Sequence, residues 1–139
     1  MKAVVYSGRG PAGALVYREV EKPAPDDGEV LVKIHAVSVN AADYRSMSMG
    51  IIPKNKIFGA DIAGQVEAAG KNARRFQPGD AVMGDISKCG FGGFAEYAAV
   101  PESALIPIPA GVSFEDAAAV PMASVTALQA LGGRDTVLA

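Results

Sequence analysis

Apolar and polar residues alternate in short bursts over the first hundred positions, and glycine or proline ends each burst. "KAVVY" (2–6) and "LVYREV" (15–20) have strand length and β-branched content, and "SGRGPAGA" between them reads as a hairpin turn. "EVLVKIHAVSV" (29–39) alternates most clearly. Strict alternation puts Val30, Val32, Ile34 and Ala36 on one face, with Lys33 and His35 on the other. "GADIAGQVEAAG" (59–70) predicts a bent strand through Ile62 and Val66, because a glycine within a strand marks a bulge or a close backbone approach. Pro78-Gly79 turns the chain into a strand over 80–83. "GGFAEYAAVPESALIPIP" supplies two more short strands, interrupted by Pro101 and stopped by Pro107 and Pro109.

Two stretches change period. Asn40 can N-cap a short helix, with Asp43 in the capping-box position and Gly50 as the stop. Ser113, with Asp116 three residues on, opens a second helix that runs to Gly132-Gly133. Pro121 falls inside it and either kinks it or splits it in two. The segment is apolar almost all round, and a helix without a polar face is one that packs against something. Many short strands with Gly/Pro turns predict a mainly β chain with short helices, in a small, strongly bent barrel or sandwich.

Composition adds mostly exclusions. A chain of 139 residues suits one domain. A formal charge of −2 with no basic cluster beyond Arg74-Arg75 argues against nucleic acid or an anionic membrane as partner. No apolar run approaches the ~20 residues of a membrane span, and the start is too weakly apolar for a signal peptide, so the expected location is cytoplasmic. The single cysteine, Cys89, and the single histidine, His35, cannot make a disulfide or a typical zinc site. They also argue against Ser-His-Asp and Cys-His catalysis. His35 reads as a hydrogen-bonded packing residue in its strand, and Cys89, beside "GFGG", as a small loop residue. "GADIAG" has the glycine spacing of a phosphate-binding loop, but Gln65-Val66 stand where Lys and Ser/Thr are needed. "GFGGFA" (90–95) fits G-x-G-x-x-A, yet a strand-like alternation follows it where the dinucleotide fold needs a helix.

Taken in order, "MKAVVY", "EVLVKIHAVSVNAADYR", "GADIAGQVEAAG", "FQPGDAVMG", "GGFAEYAAVP" and "AAAVPMASVTALQAL" resemble the N-terminal catalytic domain of the medium-chain dehydrogenase/reductase superfamily. The resemblance implies a GroES-like bent β-barrel with an apolar C-terminal helix. It makes 1–131 the domain and 132–139 a linker, or a strand rejoined to the barrel. "GADIAGQVEAAG" is similar to the zinc alcohol dehydrogenase signature, but the family's zinc-ligand histidine falls on Ala60 and its neighbouring glutamate on Asp61. The ligand cysteine falls near Asn40, and of the four-cysteine structural lobe only Cys89 is left. The chain therefore looks like the zinc-independent quinone oxidoreductase and enone reductase branch, with no metal.

That branch moves a hydride from NADP(H), or NADH, to a quinone or an activated C=C bond. The resemblance makes Asn40, Tyr44 and Arg45 the candidate catalytic residues, as donors to a substrate oxygen gaining negative charge. The plainer roles are a helix cap for Asn40, packing or ligand stacking for Tyr44 and surface charge for Arg45. Thr126, in "SVTAL", matches a threonine near the nicotinamide, or simply bonds back to a carbonyl one turn earlier. Asp61 is expected to bond backbone amides at the bend between Gly59 and Gly64 and so hold the cleft in shape. The family's nucleotide-binding domain would follow "TALQAL", where this chain reads "GGRDTVLA". The expectation is weak or absent NADPH binding by these residues alone, a small-molecule substrate, and homo-oligomerisation through the exposed C-terminal helix. The alternative is a non-catalytic barrel serving in assembly or binding, or an engineered isolated domain.

Overall fold

The computed structural model describes residues 1–8 and 15–132. β1 (Lys2–Tyr6) and β2 (Leu15–Glu19) form an antiparallel ribbon in register Lys2↔Glu19 to Tyr6↔Leu15. The tip of their turn, like the tail expected to form a linker or rejoined strand from 133 on, lies outside the described residues. A second sheet has five antiparallel strands in the order β6-β3-β4-β5-β7. They are β3 (Glu29–Ser38), β4 (Asp61–Ala69), β5 (Ala81–Asp85), β6 (Tyr97–Pro101) and β7 (Ile106–Pro107). Isolated bridges Ala3↔Ala95 and Val5↔Ile57 tie β1 to the segments that lead into β6 and β4.

The mainly β class with short helices is as expected, but among the described residues the strands do not close into a barrel. The reason lies at the edges. Proline cannot donate to a ladder, and Pro101 ends β6 while Pro107 ends β7 after two residues. The Pro78-Gly79 turn is formed: Gly79 has φ 101°, and Asp80 N–H donates to the Gln77 carbonyl at 3.1 Å.

Two apolar clusters lie on opposite faces of the large sheet. Val30, Val32, Ile62, Val66, Val82, Ile86, Val100 and Leu105 form the main core. Ala63, Met83, Ala117 and Ala118 form a smaller one, closed by Ala36, Ile108 and Phe114. Ile34 packs on the first cluster and Ala36 on the second, so the two do not share a face. A bulge explains this. Ile34 pairs with Gly64 and Ala36 with Ala63, leaving His35 as an extra residue that inverts the end of β3. Gly64 accommodates the bulge, since a Cβ there would collide with the Lys33 carbonyl. His35 packs, as expected, but by stacking on Phe114, with centroids 4.3 Å apart and planes 14° apart.

Three helices complete the fold. α1 (Ala41–Ser48) follows Asn40 and ends near Gly50, at φ 73°. Pro121 does split the C-terminal helix, into α2 (Phe114–Ala118) and α3 (Pro121–Ala130). Ser113 caps α2 by accepting the Asp116 N–H at 3.1 Å. α3 begins with proline at N1, where the missing N–H is no loss. α3 is not buried as an all-apolar helix should be: Val125 is 50% exposed and Leu128 42%.

Candidate functional site

The site is built where β3 ends, α1 and β4 begin, and α3 arrives. Past the His35 bulge, Ser38 pairs with Asp61. The side chain of Asp61 is fully buried. One of its oxygens, Oδ2, accepts the Met122 backbone N–H at 3.0 Å and the Asn40 Nδ2–H at 3.2 Å, with Ser38 Oγ 3.5 Å away. Asn40 Nδ2 also donates to Ser38 Oγ at 2.9 Å. Both amide hydrogens of Asn40 are thus in use.

The other oxygen of Asp61, Oδ1, is buried with no hydrogen-bond partner among the described residues. Burial pushes this carboxyl above the ordinary carboxylate range. The Met122 amide pulls it down, Asp85 pushes it up, and the bonds from Asn40 and Ser38 pull it down again. Asp85 acts from directly across the β4–β5 ladder, where like charges oppose each other.

The expected role of Asp61 at the glycine bend belongs to another acid. Asp43, also buried, accepts the Asn40 N–H on Oδ2 at 2.7 Å and the Gly59 N–H on Oδ1 at 3.0 Å. Gly59 sits at φ 99°, and a Cβ on it would lie 2.7 Å from the Gly93 Cα. Sequence reasoning placed Asp43 only as a capping-box residue. It named neither Ser38 nor Met122; the latter contributes a main-chain amide, which leaves no side-chain signal.

Tyr44 and Arg45 occupy the exposed side of α1, with Tyr44 51% accessible. They are carried by the helix that Asn40 opens and make no side-chain bond to Asn40 or Asp61. Thr126 Oγ1 donates to the Met122 carbonyl at 2.7 Å, the plainer of its two expected roles. Among the described residues no three His, Cys, Asp or Glu side chains converge as metal ligands would. Cys89 is exposed at the end of a 3-10 turn (Ser87–Cys89); desolvation first, then Asp85 and Glu29, push its thiol up, away from an activated nucleophile.

Residues 26–110, more than half of the chain, match the alcohol dehydrogenase GroES-like domain. The chain belongs to that family. The GroES-like domain described here is 36% identical over 137 residues to a chloroplastic quinone-oxidoreductase, QR1, of Triphysaria versicolor, covering 94% of this chain and 42% of that protein. It is 40% identical over 118 residues to a trans-enoyl reductase of Fusarium mangiferae, covering 84% of this chain and 30% of that one. Among solved structures, a mycobacterial protein complexed with NADPH matches with a TM-score of 0.80 at 29% identity, over 94% of this chain and 40% of that one. The GroES-like domain thus lies in the medium-chain dehydrogenase/reductase superfamily, among quinone oxidoreductases and their kin. The chain spans about two fifths or less of the length of these relatives.

Proposed function

We propose that this chain is the substrate-side domain, residues 1–131, of a zinc-independent reductase of quinones or activated alkenes. The names of the relatives motivate the reaction class. One observation supports the metal-free reading: where the resemblance puts the zinc-ligand histidine and cysteine, the chain has Ala60 and Asn40, and the Asn40 amide bonds at 3.2 Å to Asp61. NAD(P)H would supply the hydride in such a reaction. The described strands pair only antiparallel, so they do not form the parallel βαβ unit that cradles a pyrophosphate. The proposal accordingly assigns these residues to the substrate side.

On this reading Tyr44 and Arg45 receive the substrate oxygen. Both present donors from α1, and preset donors stabilise developing negative charge without reorganising. The amide hydrogens of Asn40 are committed to Ser38 and Asp61, so Asn40 fixes the start of the helix that carries those donors. A cytoplasmic location is part of the proposal; the Triphysaria relative is chloroplastic, and among the described residues no helix is long and apolar enough to cross a membrane.

The test is an NMR titration with duroquinone, a fully substituted quinone that Cys89 cannot add to at a free ring position. Saturable shifts at Tyr44 and Arg45 are expected, weakened about tenfold in R45Q, the loss of one charge-assisted hydrogen bond. No shift up to the solubility limit would overturn the assignment. Titrated alone with NADPH, the 139 residues should show no saturable fluorescence change, and tight binding would sink the substrate-side reading. Metal analysis showing one zinc per chain would remove the zinc-independent part.

A second reading, an assembly or binding module, is favoured by the exposed Val125 and Leu128 of α3. Light scattering on the chain tests this second reading: a monomer at high concentration counts against it, whereas self-association that V125E and L128E abolish is expected on both readings.

A further inference from the structure

α3 lacks a cap of its own. Val120 precedes it in helical conformation (φ −87°, ψ −48°), makes no side-chain cap bond, and is followed by a first turn without an acidic residue. Helix starts expose N–H groups that need acceptors, and the positive end of the helix dipole favours a negative one. Pro121 has no N–H to satisfy, so the first free donor is Met122. Its acceptor is Asp61, at the start of β4 and distant in sequence. The same oxygen accepts the Asn40 side-chain amide, which sits immediately before α1. One buried atom thus joins the first turn of one helix to the residue that opens another.

We propose that Asp61 is a joint, capping α3 from a distant strand and coupling the seating of α3 to the orientation of the Asn40 amide. A displacement of the first turn of α3 withdraws the Met122 N–H from Oδ2. The Asn40 and Ser38 donors then share an oxygen freed of a third claim, and the amide re-orients. The coupling also runs the other way, because linkage is reciprocal. Whatever contacts the exposed face of α3 is in this way felt at the entrance to α1. The importance of this for catalysis rests on the function proposed above; the joint itself does not.

The test uses the 139-residue chain and needs no substrate. A through-hydrogen-bond scalar coupling is expected between the Met122 amide nitrogen and the Asp61 carboxyl carbon in the wild type. In D61A, amide exchange at Met122 should quicken by at least about tenfold, while amides in the middle of β3 and β4 keep their protection. The Asn40 side-chain NH2 resonances should shift in the same variant. D61N keeps an oxygen acceptor and should restore most of both signals. The proposal is overturned by absence of the scalar coupling, by D61A leaving Met122 protected or Asn40 unmoved, or by D61N behaving like D61A. Should D61A fail to fold, the scalar coupling and D61N decide.

Discussion

Asp61 sits in electrostatic conflict: full burial, an acid opposite, and one oxygen without a partner among the described residues. The folded protein holds its proton more tightly than an unfolded chain does. The stability this group contributes is therefore complete below the ordinary aspartate pKa and is lost as pH rises through the raised folded value. Urea midpoints measured across that window should fall with rising pH in the wild type and fall less in D61N, which cannot ionise. At neutral pH D61N should equal or exceed the wild type. D61A, which strands the Met122 and Asn40 donors, should cost about 1–3 kcal/mol. D43A, which strands the buried Gly59 N–H, should cost a similar amount, about 1–3 kcal/mol by the same measurement. That an acid mattered at position 61 was legible in the sequence, since a lone carboxylate in an apolar run asks for partners. Which partners it finds was not legible, because a main-chain amide far along the chain leaves no mark in residue identity.

At the scale of elements, most boundaries could be read from local chemistry. Asn40 and Ser113 start helices, Gly50 ends one, Pro121 divides another, and Pro78-Gly79 makes its turn. The face of β3 was misjudged because alternation assumes unbroken register, and the bulge opposite Gly64 breaks it. The two glycines Gly64 and Gly79 should respond differently to alanine. Gly79 has open space around its missing Cβ, so G79A should cost only the left-handed backbone penalty, about 1–2 kcal/mol. At Gly64 the new methyl meets the Lys33 carbonyl and the Val32 side chain, the latter at 2.9 Å. G64A should lose more than G79A in thermal melts, and the Ile34–Ala36 amides should show the disturbance.

At the scale of the molecule, the exposed α3 is the feature that an isolated domain explains least. An apolar helix reads as interior, yet here only Pro121 of α3 is buried. That the bent barrel stays open was not legible for a related reason: counting short strands gives no hint of which edges proline will leave unpaired. The bulge at His35 has a consequence that reaches across the whole architecture. It bends the end of β3 where Ser38 comes to lie opposite Asp61, beside the start of α1. Point changes at position 35 should be absorbed. Deleting His35 would heal the bulge: Ile34↔Gly64 and Ala36↔Ala63 would follow one another as consecutive pairs, so Ala36 and Ser38 should keep their layers, and what is lost is the ring stacked on Phe114.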